Sequence, residues 1–130
     1  MATWRDVAAY IRANYKITDE DDSNITLVFG IDGTRTQIVV LSQALLMDGA
    51  EEWVQISSPI ARVNQINVNA VLRAIAPMVV GGLAIYGDFL AIRDALPLAN
   101  LQINELERPM RLITLTADAL EKQFVGADVM

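Results

Sequence analysis

The chain has no cysteine and no histidine. The first absence removes disulfides, thiolate zinc sites and thiol nucleophiles together. The second removes the one side chain whose unperturbed pKa lies near neutrality. With it go the usual general base and the commonest transition-metal ligand. Basic charge is scarce as well: ten Lys and Arg stand against sixteen Asp and Glu, a formal charge of −6. Nucleic-acid phosphates demand a basic face and anionic membranes attract basic segments, so neither is expected as a partner. Long apolar runs are missing too. The longest uncharged stretch, which includes Ala74 to Tyr86, is interrupted by Pro77 and Gly81-Gly82. The opening "MATWRDVAAYIRANY" carries Arg5, Asp6 and Arg12 and reads as neither signal peptide nor span. The expectation is a soluble, cytoplasmic protein.

What the chain has in excess is apolar side chains, 53% of 130 residues against 20% charged. This length predicts one domain, 1–130, that buries roughly two-thirds of its unfolded surface without a staple. The surplus apolar content points to a second buried surface, shared between protein molecules.

Thr3 with Asp6 reads as the cap of a first helix whose stripe is Trp4, Val7, Ala8, Ile11 and Tyr15. "TDEDDSN" from Thr18 reads as an acidic loop. In "ITLVFGIDGTRTQIVVLSQALL", Asp32-Gly33 between two alternating runs predicts a tight hairpin. A two-residue turn there pairs Ile31 with Thr34, Phe29 with Thr36 and Leu27 with Ile38. It puts Ile25, Leu27, Phe29, Ile38 and Val40 on the core face, and Thr26, Val28, Gln37 and Val39 on the other. Asp48-Gly49 predicts a second turn, into a third strand, "EEWVQISSPIA". "NVNAVLRAIAP" predicts a short helix capped by Asn67 and ended by Pro77, with Val68, Val71, Leu72 and Ile75 as its stripe. A last helix carries Leu106, Met110, Ile113, Ala117, Leu120 and Phe124 at alternating steps of four and three. Asn104 and Glu107 form its expected capping box, Pro109 should bend or delay its first turn, and "VGADVM" reads as a loose tail.

The most patterned stretch is "MVVGGLAIYGDFLAIRDALPLANL". With Gly87-Asp88 as a two-residue turn, Tyr86 pairs with Phe89, Ile85 with Leu90, Ala84 with Ala91 and Leu83 with Ile92. Leu83, Ile85, Leu90 and Ile92 then face the helices. Ala84, Tyr86, Phe89 and Ala91 line the opposite side, with Gly82 opposite Arg93. An antiparallel sheet normally turns a polar face to water, and this ribbon has none. Another subunit, a client segment or the chain's own loops must cover it.

The order is helix, three strands, helix, two strands, helix: α+β with a largely antiparallel sheet. At this point "GGLAIYGDFLAIRDALPL" followed by "LQINELERPMRLITLTADALEKQF" resembles the bacterial YbjN-domain proteins, whose fold is that of the type III secretion chaperones. The resemblance rests on the glycine-led strand, the Gly87-Asp88 turn, Ile92-Arg93, Leu96-Pro97-Leu98 and "ADALE" from Ala117, within Val68 to Phe124. It implies a protein that works by protein–protein contact, commonly as a homodimer. YbjN proteins are also labelled sensory-transduction regulators. None of these words is a catalytic signature.

The remaining constellations are poor for chemistry. "DEDDSN" from Asp19 fails the EF-hand pattern, with Asn24 at the position for Gly and Gly30 at the position for Glu. The glycines have the wrong spacing for a phosphate loop, and Ser57-Ser58 has no Lys in S-x-x-K register. Glu51-Glu52 sits in a turn, poorly placed for paired-carboxylate work. No enzyme activity, cofactor or metal is expected. The expected function is a chaperone-like or regulatory homodimer that engages a protein partner through Tyr86, Phe89, Ala84, Ala91 and Arg93, with Trp53 as a further contact. Arg93 alternatively pairs with Asp94 or with an acid on a helix. The rival is a small-molecule sensor with an apolar pocket between sheet and last helix, near Met78 and Met110.

Overall fold

The computed structural model describes residues 2–33, 35–79 and 81–125. Thr34, expected opposite Ile31, and residues 126–130 of the expected tail lie outside the described residues. Helix α1 (Trp4–Asn14) begins at the Thr3 cap. The Thr3 hydroxyl accepts from the Asp6 N–H at 3.3 Å, and the Asp6 carboxylate accepts from the Thr3 N–H at 3.0 Å. This reciprocal cap satisfies donors that a helix start leaves unpaired. Trp4, Val7, Ala8 and Ile11 turn inward.

The segment read as an acidic loop begins with a strand, β1 (Ile17–Glu20). The Asp21 carboxylate then accepts from the N–H groups of Ser23 (2.8 Å) and Asn24 (2.9 Å) and turns the chain back. Those bonds, the one from Ser23 foremost, hold Asp21 below the usual carboxylate range. Three long strands follow: β2 (Asn24–Asp32), β3 (Arg35–Leu46) and β4 (Glu51–Arg62). A 3₁₀ turn (Val63–Gln65) and α2 (Val68–Ile75) lead to the ribbon β5 (Gly82–Tyr86) and β6 (Phe89–Pro97). The chain then makes a second 3₁₀ turn (Ile103–Leu106) and ends in α3 (Glu107–Phe124).

The strands form one sheet in the order β1-β2-β3-β4-β6-β5, with every neighbour antiparallel. The long step from β4 to β5 through α2 leaves room for β6 to pair with β4. This is the expected α+β arrangement, with β1 added at one edge. α1 and α3 pack on one face, against Ile25, Leu27, Val39, Leu41, Val54, Ile56, Leu90 and Ile92.

The β2–β3 register differs from the expected one by a residue. Leu27 pairs with Val39, Val28 with Ile38 and Phe29 with Gln37, and a bulge lies between Gly30 and Asp32. The extra residue moves β3 by one place and exchanges its faces. Val39 and Leu41 enter the core with Gln37, while Ile38 and Val40 leave it. Gln37 is tolerated inside because its amide donates to the Pro59 carbonyl at 2.6 Å.

Asn67 caps α2 as expected, its side-chain oxygen accepting from the Ala70 N–H at 3.1 Å. Leu72, assigned to the stripe, is exposed; Val71 is the fully buried residue of this short helix. The expected Asn104–Glu107 cap of α3 is replaced by the 3₁₀ turn, in which Glu105 accepts from the Gln102 N–H at 2.7 Å. Pro109 thereby falls at the third α-helical residue, where no intrahelical N–H bond is lost. The inner stripe of α3 is then Met110, Ile113, Ala117 and Leu120. Val125, read as part of the tail, is buried in the core.

Glu107 ties the start of α3 to α1: the hydroxyls of Tyr10 (2.7 Å) and Tyr15 (3.2 Å) both donate to its carboxylate. The first bond, with smaller contributions from burial and the negative charge, pushes the Tyr10 phenol up to about 12. Buried Asp118 on α3 is held by Arg35 at 2.5 Å, which fastens the β2–β3 hairpin to the helix.

Candidate functional site

The Gly87-Asp88 bend forms as expected. Tyr86 pairs with Phe89, Ile85 with Leu90, Ala84 with Ala91, Leu83 with Ile92 and Gly82 with Arg93. Gly87 takes a φ of +59°, which suits glycine. The bend is tied to the rest of the sheet where the Asp88 carbonyl accepts from the Val63 N–H at 2.8 Å.

The register carries the ribbon's outer row across the whole sheet. Arg93 stands opposite Ser57, Ser57 opposite Val40, and Val40 opposite Thr26. One row along, Ala84, Ala91 and Pro59 are neighbours. Ile38, turned outward by the bulge, joins Val28 on this surface, at 45% and 43% exposure. The sheet therefore shows a band running from Val28 and Ile38 through Val40 and Pro59 to Tyr86 and Phe89. Ala91, at 3% exposure, is its floor. Next to it lies a concavity of about 370 Å³ lined by Val40, Ser57, Pro59, Tyr86, Phe89 and Ala91, among others.

Two guanidinium groups mark the aromatic part. Arg62 stacks over the Phe89 ring at 4.7 Å and pairs with Asp88 at 3.6 Å. Arg93 donates from Nη1 to the Tyr86 hydroxyl at 3.2 Å. The alternative that Arg93 pairs with Asp94 does not hold: neighbours in a strand point to opposite faces, and the Asp94 carboxylate accepts from the Ala95 N–H at 2.9 Å.

Five of the six expected contact residues thus share one continuous surface. Trp53 lies on the same face, but four residues along β4 from Ser57, roughly 13 Å away. Its indole N–H donates to Glu51 at 3.1 Å. Val28 stands on the face where the sequence reading put it, whereas Ile38, Val40 and Pro59 were missed. The one available signal was Gly30 inside a strand pattern, a common mark of a bulge.

Other features read from the sequence have structural partners. Glu52 accepts from the Trp4 N–H (3.3 Å) and the Gln43 amide (3.0 Å). Ser58 is buried and its hydroxyl donates to the Ile38 carbonyl at 2.6 Å. Met110 is fully buried in the core, while Met78 is exposed on the connector after α2. Among the described residues no group of three carboxylate, imidazole or thiol side chains is placed to hold a metal ion. Among the same residues no helix is long and apolar enough to cross a membrane.

The backbone is similar to a chain in the solved structure of the HopA1-SchA chaperone-effector complex. The TM-score is 0.60 at 17% identity, over 90% of this chain and 88% of that one. The fold is type III secretion chaperone-like. No protein-family model and no curated protein matches the chain. The likeness is therefore one of shape.

Proposed function

We propose that this chain is a non-enzymatic, chaperone-like protein-binding module that holds a segment of a partner protein on the outer face of its sheet. The observation that carries the reading is the uncovered apolar band from Val28 and Ile38 to Tyr86 and Phe89. Antiparallel sheets with one solvated face ordinarily present polar side chains there. Contiguous apolar surface of this kind marks interaction sites. The likeness to a chain from a complex between a chaperone and an effector supports the same reading. Kinship with YbjN-domain proteins belongs to this proposal, supported by the Gly87-Asp88 ribbon and the "LPL" step, and so does a cytoplasmic site of action. Self-association as a homodimer, through the free edge of β5, is a further part.

The contact set is Tyr86, Phe89, Ala84, Ala91 and Arg93, with Trp53 at the far end of the same face. Affinity capture from the native cell tests it, with the wild type compared against Tyr86→Asp and Phe89→Asp. Loss of the same captured protein with both variants is the expected result. Capture that persists unchanged with both would move the binding surface elsewhere.

A further inference from the structure

We propose that Arg93 is the recognition point for a carboxylate, so that the outer face selects an extended apolar segment carrying one acidic side chain. The inference rests on the protein-binding reading of that face and adds the chemistry of the partner.

Arg93 is a charged side chain on the outer face whose nearest cross-strand neighbours, Gly82 and Ser57, are small and uncharged. The row continues through Val40 and Thr26 and meets its carboxylate, Asp19, only four strands away on edge strand β1. Among the described residues no carboxylate lies within ion-pairing distance of Arg93, whereas Arg62, at the Phe89 end, already has Asp88. Asp94 is engaged on the other face with the Ala95 N–H. The guanidinium is also held in place, since Nη1 donates to the Tyr86 hydroxyl.

It is open on both flanks. Opposite Arg93 on β5 stands Gly82, and a Cβ built there meets nothing within 4 Å. Opposite it on β4 stands Ser57, a small side chain. A guanidinium steadied on one side and left bare on the others suits a carboxylate, whose two oxygens match its planar fork. Ala91, Pro59 and Phe89 lie beside it along the strand direction. Side chains on one face of an extended segment repeat every two residues, roughly 6.6 Å, so apolar residues two places from the acid reach this floor.

The rest of the molecule sharpens the choice. With a net charge of −6, it repels a strongly acidic segment at long range, and Arg93 disfavours a basic one locally. A mostly apolar segment with a single carboxylate satisfies both conditions.

The test uses fluorescein-labelled peptides of about twelve residues, long enough to run the length of a strand. They alternate Val and Thr and carry a central Glu, Gln or Lys, and binding is read by fluorescence anisotropy. The full chain is expected to bind the Glu peptide about tenfold more tightly than the Gln peptide, and the Lys peptide least. In Arg93→Gln the Glu-over-Gln preference vanishes while affinity for the Gln peptide stays. Gly82→Leu, which keeps the guanidinium but fills its open flank, also loses the preference. Circular dichroism of both variants checks that they fold. Equal binding of Glu and Gln peptides by the wild type overturns the carboxylate assignment and leaves the docking face standing. A preference that survives Arg93→Gln overturns the role of Arg93. Failure of all three peptides to bind overturns the assignment and the face together.

Discussion

Gly81 shows how closely the ribbon is fitted to the core. It adopts φ +97°, and a Cβ there would lie 2.7 Å from Cγ1 of buried Ile92. Both the backbone and the space require glycine. Gly82, next in sequence, has neither constraint. Gly81→Ala is expected to cost at least about 1 kcal/mol in urea unfolding, and Gly82→Ala to stay within about 0.5 kcal/mol of wild type. Equal effects of the two would contradict this packing. At this scale much was legible from sequence. The caps at Thr3 and Asn67 and the Gly87-Asp88 bend are local devices, decided within about four residues by short polar side chains or a positive φ. The side to which Ile38 and Val40 turn was not legible, because either parity leaves apolar residues inside.

At the scale of elements, the two edges of the sheet contrast. β1 carries Asp19 and Glu20 and has an irregular register between Ile17 and Asp19, features that discourage another strand from pairing. β5, "GLAIY", has no charge, no proline and no register shift, and its Ile85 is 57% exposed. Exposed Leu72, Met78 and Val79, on α2 and the connector into β5, add apolar area. A specific dimer buries at least about 1,000 Å² in total. We propose that β5 pairs with its counterpart in a second copy. Sedimentation at micromolar concentration should show a dimer for the wild type and a monomer for Ile85→Lys. A wild-type monomer would remove the homodimer from the proposal. The hairpins and helices were legible from their periodicities, whereas β1 was not. Its polar, acidic composition has little strand propensity, and only pairing with β2 makes it a strand.

At the scale of the whole molecule, one core cluster joins residues from Ala2 to Val125. Trp4 is anchored to the β1–β2 turn, its indole donating to the Asp22 carbonyl at 2.9 Å, and the Arg35–Asp118 pair ties hairpin to last helix. We propose that the chain unfolds as a single cooperative unit. Urea transitions followed by Trp4 and Trp53 fluorescence and by far-UV circular dichroism should coincide, and separated midpoints would show independent parts.

The sequence by itself determined the starts of the first two helices, the bend of the ribbon, the α+β class and the lack of thiol and imidazole groups. These follow from residue identity and from signals that act over a few neighbours. Only the tertiary structure decided which face of β3 meets the helices, that a strand forms at the acidic edge, and that Arg93 stands on an open face with no carboxylate partner among the described residues. Strand parity reverses with one inserted residue, and the choice between parities is made by burial against segments far away in the chain. The outer face is therefore a product of the bulge at Ile31 as much as of the residues that line it.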